Sequence, residues 1–369
     1  MTLQTLVNKY DGIQKIYNDK LARLSFWEQQ FSELEKAVNT LSANFQERYE
    51  KSEVPGDLSE EIKAKLENRR EGVRLSAKSA SRLIRKLNPE KPVIVEEVEF
   101  VSEEQLLEKL GEVAGSKLPQ EGETLQTFTQ KLDSEISAST EEAVKLEESA
   151  PDEATEETES QVPLEESIES ETETETETEN AEEKLLDVSE ATSILEMAIA
   201  TNEAALEELA ENIESTEKRF CSFIEKSLAP VMDGLYSGKK YGESLRNEFT
   251  DSASEQADYA KEWLHIYEEL LNPMESLFDE FNVSFYIPAV RDLFDEYYHE
   301  PIAVVEDTDF KNEQVKEVVR YGLKYNDTIY GQKNFLIRPA QVIVVKNIAG
   351  QQQEIQEATE DGGMVNDEG

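Results

Sequence analysis

Residues able to do covalent or metal chemistry are few. Two histidines, His265 and His299, and one cysteine, Cys221, are all that 369 residues offer for metal ligation or nucleophilic attack. A structural zinc site draws on Cys and His ligands at short spacings, and a nucleophile needs a base beside it. Neither pattern occurs, nor does a glycine-rich phosphate loop. No enzyme, no metal and no cofactor is expected. Carboxylates are abundant, 82 against 37 Lys and Arg, but the densest run lacks the glycine and ligand spacing of a calcium loop. The lone cysteine excludes an internal disulfide and fits a reducing compartment. What is left is binding chemistry. It concentrates in two late segments, Phe294-Asp295-Glu296-Tyr297-Tyr298-His299-Glu300-Pro301-Ile302 and Ile337-Arg338-Pro339-Ala340-Gln341-Val342-Ile343-Val344-Val345.

The charge balance limits what can surround those segments. A net charge of −45 with 32% charged residues argues against one large compact core and favours extended helices, spaced domains or disorder. Nucleic acid and membrane are poor partners. No basic stretch leads into an apolar core at the start, and no apolar run approaches the ~20 residues of a spanning helix, so a cytoplasmic protein is expected. One stretch is basic: between Lys63 and Lys86 nine Lys or Arg stand against two Glu. It reads as a docking face for an acidic partner or the chain's own acidic segment, or as a solvated helix face, the favoured reading. No aromatic platform interleaves with these bases, which disfavours single-stranded nucleic acid.

The elements that must position the late segments are mostly helical. Leu3, Leu6, Tyr10, Ile13 and Tyr17, then Leu24, Trp27, Phe31, Leu34, Val38, Leu41 and Phe45, alternate three and four apart, the spacing of a heptad seam. A turn at Val54-Pro55-Gly56-Asp57 precedes a second seam through Ile62, Leu66, Val73, Ala80, Leu83 and Leu87, with Asp57 expected as helix cap. Residues 1–90 thus predict an antiparallel helical hairpin. Residues 91–140 hold a short strand around Val93–Phe100 and a helix start at Ser102-Glu103-Glu104-Gln105. Residues 141–183 carry nineteen acidic residues and one Lys and cannot bury enough apolar area to fold, so a disordered acidic linker is expected.

Three-four spacing returns at Leu185 and continues through Leu195, Ile199, Asn202, Leu206, Leu209, Ile213 and Phe220, predicting a coiled coil. A parallel homodimer through these seven residues is the preferred arrangement, with an intramolecular pairing against the N-terminal hairpin as the alternative. Pro230 is expected to interrupt this helix, a loop is expected around Ser237-Gly238-Lys239-Lys240, and helical spacing resumes from Tyr259 to Phe281, closing a bundle over 184–282. Alternation then changes to period two. Val283 to Ile287, Pro301 to Val305, Gln314 to Tyr321 and Phe335 to Val345 predict a small all-β domain over 283–346, and 347–369 an acidic, disordered tail. The fold class is α+β, long helices or coiled coil with a small C-terminal all-β domain.

The order of helix, Pro230-Val231-Met232-Asp233-Gly234-Leu235 and late strands resembles the GrpE family, nucleotide exchange factors of DnaK-type chaperones, over about 184–346. Phe294, Asp295, His299, Glu300 and Ile302 match one family motif, which departs at Glu296, Tyr297 and Pro301. Gly322 meets a family turn, and Arg338, Pro339, Ala340 and Val342 match the closing motif. A longer run between Gly322 and Arg338, around Tyr330-Gly331-Gln332-Lys333-Asn334, implies a hairpin that protrudes further than the family's. The resemblance implies a dimer whose β-domain binds a lobe of the chaperone's nucleotide-binding domain, opens its cleft and releases ADP, a population shift without covalent chemistry. Arg338, Pro339, Phe294 and His299 are the chaperone-binding residues it implies, Arg338 foremost. The alternative is a coiled-coil scaffold or adaptor that docks through such a domain without exchange.

Overall fold

The computed structural model describes residues 2–87, 99–113, 124–131, 134, 176–250 and 254–347. The strand expected at Val93–Val98, most of the acidic linker and the tail from 348 lie outside them. The helices are α1 (Leu3–Lys51), α2 (Glu60–Leu87), α3 (Glu103–Val113), α4 (Thr176–Phe223), α5 (Ala229–Thr250), α6 (Glu255–Trp263) and α7 (Ile266–Glu280). The strands are β1 (Val283–Tyr286), β2 (His299–Val305), β3 (Val315–Arg320), β4 (Gly322–Ile329), β5 (Gln332–Arg338) and β6 (Ala340–Val345). Helix α4 begins at Thr176, so the last residues of the stretch expected as linker are helical.

Contacts divide the chain into two compact units that cut across the expected domains: 1–24 with 95–212, and 25–94 with 213–369. The expected hairpin of 1–90 is therefore shared between them. The physical reason is length: α1 and α4 are each many turns long, and different stretches of one seam meet different neighbours.

In the first unit, Leu3, Leu6, Val7, Tyr10 and Ile13 pack with Leu106, Leu107 and Leu110 of α3, with Leu125 and Phe128, and with Ala191, Leu195, Ala198 and Ile199 of α4. Helix α3 opens with a reciprocal capping box. Ser102 Oγ accepts from the Gln105 N–H at 3.3 Å and Gln105 Oε1 accepts from the Ser102 N–H at 3.0 Å, satisfying two orphan donors of the first turn.

In the second unit, α2 and the later part of α1 share one core with α5, α6, α7 and β1, β4 and β5. Helix α2 starts later than expected: Ser59 O accepts from the Lys63 N–H, and Asp57 lies in the preceding turn. Pro230 does not end the long helix either. It has no N–H to give to the preceding turn, and the chain widens into a π-helical turn, Ile224–Leu228, closed by the Ala229 N–H on Ile224 O, before α5 continues. The loop expected at Ser237-Gly238-Lys239-Lys240 is helical as well. Gly238 serves packing there: a Cβ would lie 2.2 Å from Tyr267 Cε1. Of the bundle residues, Trp263, Ile266 and Leu270 are buried, roughly 1.5–3 kcal/mol for each fully buried large side chain, whereas Tyr259 is exposed.

The β region is two three-stranded sheets, β1-β4-β5 and β2-β6-β3. In the first both pairings are antiparallel; in the second β2 runs parallel and β3 antiparallel to β6. The run from Phe335 to Val345, expected as one strand, is broken at Pro339, which cannot donate to a ladder. Chain segments 315–329 and 332–345 thus form one long hairpin bent at Tyr321 and Pro339, so that its two halves belong to different sheets. The predicted alternation survives the bend: Arg338, Ala340, Val342 and Val344 are buried and Ile337, Pro339, Gln341 and Ile343 half-buried.

Candidate functional site

The two late segments meet. His299 pairs with Ala340 across β2 and β6, and the Ala340 N–H donates to Tyr298 O at 2.9 Å. The first segment is a turn built by its own side chains. Asp295 Oδ1 accepts from the backbone N–H of Tyr297 at 2.8 Å and of Tyr298 at 3.3 Å, an Asx turn. The Asp295 N–H donates to His299 Nδ1 at 3.0 Å, which makes Nε2 the protonated nitrogen of the neutral ring. Nε2 lies 2.8 Å from Tyr286 Oη. Burial holds the imidazole below its usual pKa, against the opposing pull of Asp295 and Asp292. Phe294 packs beside His299, ring centroids 5.9 Å apart, and against the Val315, Ala340, Val342 and Val344 cluster. Phe294 is half-buried and His299 buried, so both shape the turn from inside. The departures Glu296 and Tyr297 sit at its exposed tip.

Arg338 also faces inward, which corrects the expectation of a partner-facing guanidinium. It is 4% exposed. Its Nη1 and Nη2 grip Asp233 Oδ2 and Oδ1 at 2.9 and 3.1 Å, and Nη2 donates to Tyr321 O at 2.8 Å. The planar fork fits a carboxylate bidentately, so one side chain ties the bend of the hairpin to α5. Gly322 stands at the same corner. A Cβ there would meet Ala340 N at 2.9 Å and Arg338 O at 3.0 Å, both backbone, so glycine is what lets the two halves of the hairpin cross. Pro339, half-buried, forms the opposite side of the bend.

The extended β4–β5 hairpin does not protrude freely. Tyr330 and Gly331 both have positive φ, 51° and 72°, the two-residue turn whose twist matches the strands. Its tip lies on α4: the Tyr330 N–H donates to Glu217 Oε2 at 2.8 Å, while Glu217 Oε1 accepts from Trp27 Nε1 at 3.1 Å. Glu217 is 2% exposed. Burial raises the Cys221 thiol to about 11, which leaves it a packing residue. His265 pairs with Glu268 at 3.0 Å.

Of the seven seam residues, Leu195, Ile199 and Leu206 share a core with the start of α1, and Phe220 meets Trp27 of α1. Leu195 and Ile199 pack in the first unit's core with Leu206 against it, and Ile213 and Phe220 are buried in the second unit. Leu209 is buried, and Asn202 accepts from the Val101 N–H at 2.8 Å and donates to Val101 O at 3.0 Å. Phe220 faces Trp27 and Tyr325, centroids 5.1 and 5.5 Å apart. Within one chain, Leu195, Ile199 and Phe220 thus pack on α1 as the intramolecular alternative has it.

Several residues went unrecognised in the sequence. Asp233 and Glu217 gave no signal, because their partners are remote in the chain. An apolar surface was also missed: Ile287, Val290, Leu293, Tyr297, Ile302, Val304 and Val319 are half of the large apolar side chains exposed among the described residues. All belong to β2, β3 or the segment leading into β2, and β2 is an edge strand. Apolar side chains left in solvent within one region make it a candidate interaction site. Among the described residues no group of three or more His, Cys, Asp or Glu is placed to hold a metal, and no helix is long and apolar enough to cross a membrane. No curated protein matches the chain. The family model described as GrpE does match, over residues 156–346, more than half of the length, and the chain belongs to the GrpE family.

Proposed function

We propose that the protein is a nucleotide exchange factor for a DnaK-type chaperone, docking on the chaperone's nucleotide-binding domain through the exposed face of β2 and β3. The observation that carries the reading is the family match over 156–346; the exposure of the apolar Tyr297, Ile302 and Val304 supports a contact on this face. Phe294, His299, Pro339 and Arg338 hold this face in shape: the turn sets Tyr297 and β2, and the Arg338–Asp233 pair fixes the hairpin on the helices. Exchange requires no group that reacts. A protein that binds the open cleft more tightly than the closed one weakens ADP binding by that same difference in affinity. Apolar side chains on a sheet edge supply the affinity, and a braced β region supplies the stiffness to favour one cleft geometry.

The test is release of a fluorescent ADP analogue from the cognate chaperone. The native protein accelerates release, and Val304→Asp, at a 62% exposed position, abolishes the effect while leaving the fold intact. Saturable binding without acceleration would refute exchange and leave the scaffold or adaptor reading. Full activity in Val304→Asp and Ile302→Asp would place the contact elsewhere.

A further inference from the structure

We infer that the cleft between the end of α2 and the π-helical turn is a binding site for a phosphate dianion, free or as a monoester. Its polar wall is Lys86 at the end of α2, Arg219 and Ser222 on α4, and Lys226 and Ser227 in the π turn. Phe31 and Leu87 line its apolar side, and the cavity measures about 170 Å³. At about 30 Å³ for each water of the liquid, that is room for a tetrahedral oxyanion and part of the group that carries it.

Every charged group on this wall is a cation, in a chain whose acidic residues outnumber its basic ones 82 to 37. None of Lys86, Arg219 and Lys226 pairs with a carboxylate among the described residues, and the hydroxyls of Ser222 and Ser227 find no hydrogen-bond partner there. Ser227 is 9% exposed, and a hydroxyl so buried ordinarily has one. Arg219 is held in place from two sides. Its Nη2 donates to Leu87 O, and its Cζ lies 4.7 Å from the centroid of the Phe31 ring. Further N–H groups of the fork are left to give. Burial pulls its pKa below the usual arginine value, yet a guanidinium stays charged.

Three cations around one cavity repel one another, and an anion between them removes that cost. A carboxylate offsets one of the three charges. A phosphate dianion offsets two, and its oxygens accept from the guanidinium fork, the two ammonium groups and the serine hydroxyls together, the charge-assisted bonds that phosphate forms best. The π turn contributes directly. Pro230 explains why the helix widens, but the widened residues are those that bring Lys226 and Ser227 to the wall, and such turns occur frequently at functional sites. The basic stretch from Lys63 to Lys86 thus ends at a defined site and is not only a solvated helix face.

Phosphorus NMR of inorganic phosphate and of phosphoserine, each titrated with the full chain in low-salt buffer free of other oxyanions, reads binding from the ligand itself. A saturable shift of the ligand signal is expected. Lys86→Gln and Lys226→Gln should each weaken binding about three- to tenfold, the worth of a bond to a charged group at a half-open site. Lys78→Gln removes a charge about two turns earlier on α2 and should leave binding near the native value. All three lysines are exposed, so the fold survives each change, whereas loss of Arg219 would also uncap α2. Tighter binding of phosphoserine assigns the site to a monoester, and equal or weaker binding assigns it to free phosphate. No saturable shift with either ligand overturns the inference, as does an equal loss in Lys78→Gln, which would show a diffuse basic face. No chaperone or nucleotide enters the measurement, so its failure and that of the exchange reading are told apart.

Discussion

Removing the Arg338 guanidinium distinguishes bracing from docking. Arg338→Ala deletes the bidentate contact to Asp233 and the bond to Tyr321 O. Breaking a fully buried ion pair by removing one partner costs about 3–5 kcal/mol. Here the Arg338 side chain is 5% and the Asp233 side chain 29% exposed, so the abandoned carboxylate regains part of its hydration. The Tyr321 carbonyl, in contrast, loses a charged donor in a tight corner, worth about 1.5–3 kcal/mol. Allowing for both, the loss is about 2–3 kcal/mol. At a urea m-value near 2 kcal/mol per M this lowers the midpoint by about 1 M. The assay is intrinsic fluorescence in urea, because the only two tryptophans, Trp27 and Trp263, both lie in the core of this unit. Arg338→Lys keeps the charge but not the fork and recovers only part of the loss. Asp233→Ala combined with Arg338→Ala should cost less than the two single changes added together. An Arg338→Ala protein with native urea stability but no chaperone binding would refute the bracing argument and restore Arg338 as a contact residue.

Stability should fall as pH drops from the ordinary histidine value of 6.5 toward the lowered native value of His299. In that window the unfolded chain binds a proton that the native turn, with Nδ1 accepting from Asp295, refuses. His299→Gln should flatten this slope in urea titrations at a series of pH values, and an unchanged slope would deny the buried neutral ring. Gly322→Ala should destabilise by about 1–3 kcal/mol, the usual cost of forcing an added methyl into packed structure, because the atoms at 2.9 and 3.0 Å are backbone and cannot rotate aside. Thermal unfolding measures it, and a native melting temperature would show that the corner can relax.

How much was legible in the sequence follows from the range of each signal. Period-three-four spacing marked α1, α2 and α4, and Ser102-Glu103-Glu104-Gln105 marked the start of α3, because spacing and capping are local. Local cues misled where one residue type serves two purposes. Gly238 reads as a turn but is a gap for Tyr267. Pro230 reads as a helix end but is absorbed by a π turn. Pro339 sits inside an alternating run that reads as one strand, although its missing N–H divides two sheets.

The α+β class, the helical seams and the two late motifs were settled by sequence alone, since periodicity and residue type need only near neighbours. Tertiary structure decided which surface covers the seam, where Arg338 points and which apolar side chains stay in solvent. A seam states that it needs an apolar partner, not which one. A guanidinium in an alternating strand states a face, not whether Asp233, 105 positions earlier in the chain, waits on it. Both answers depend on contacts between residues far apart in sequence, and only folding brings those together.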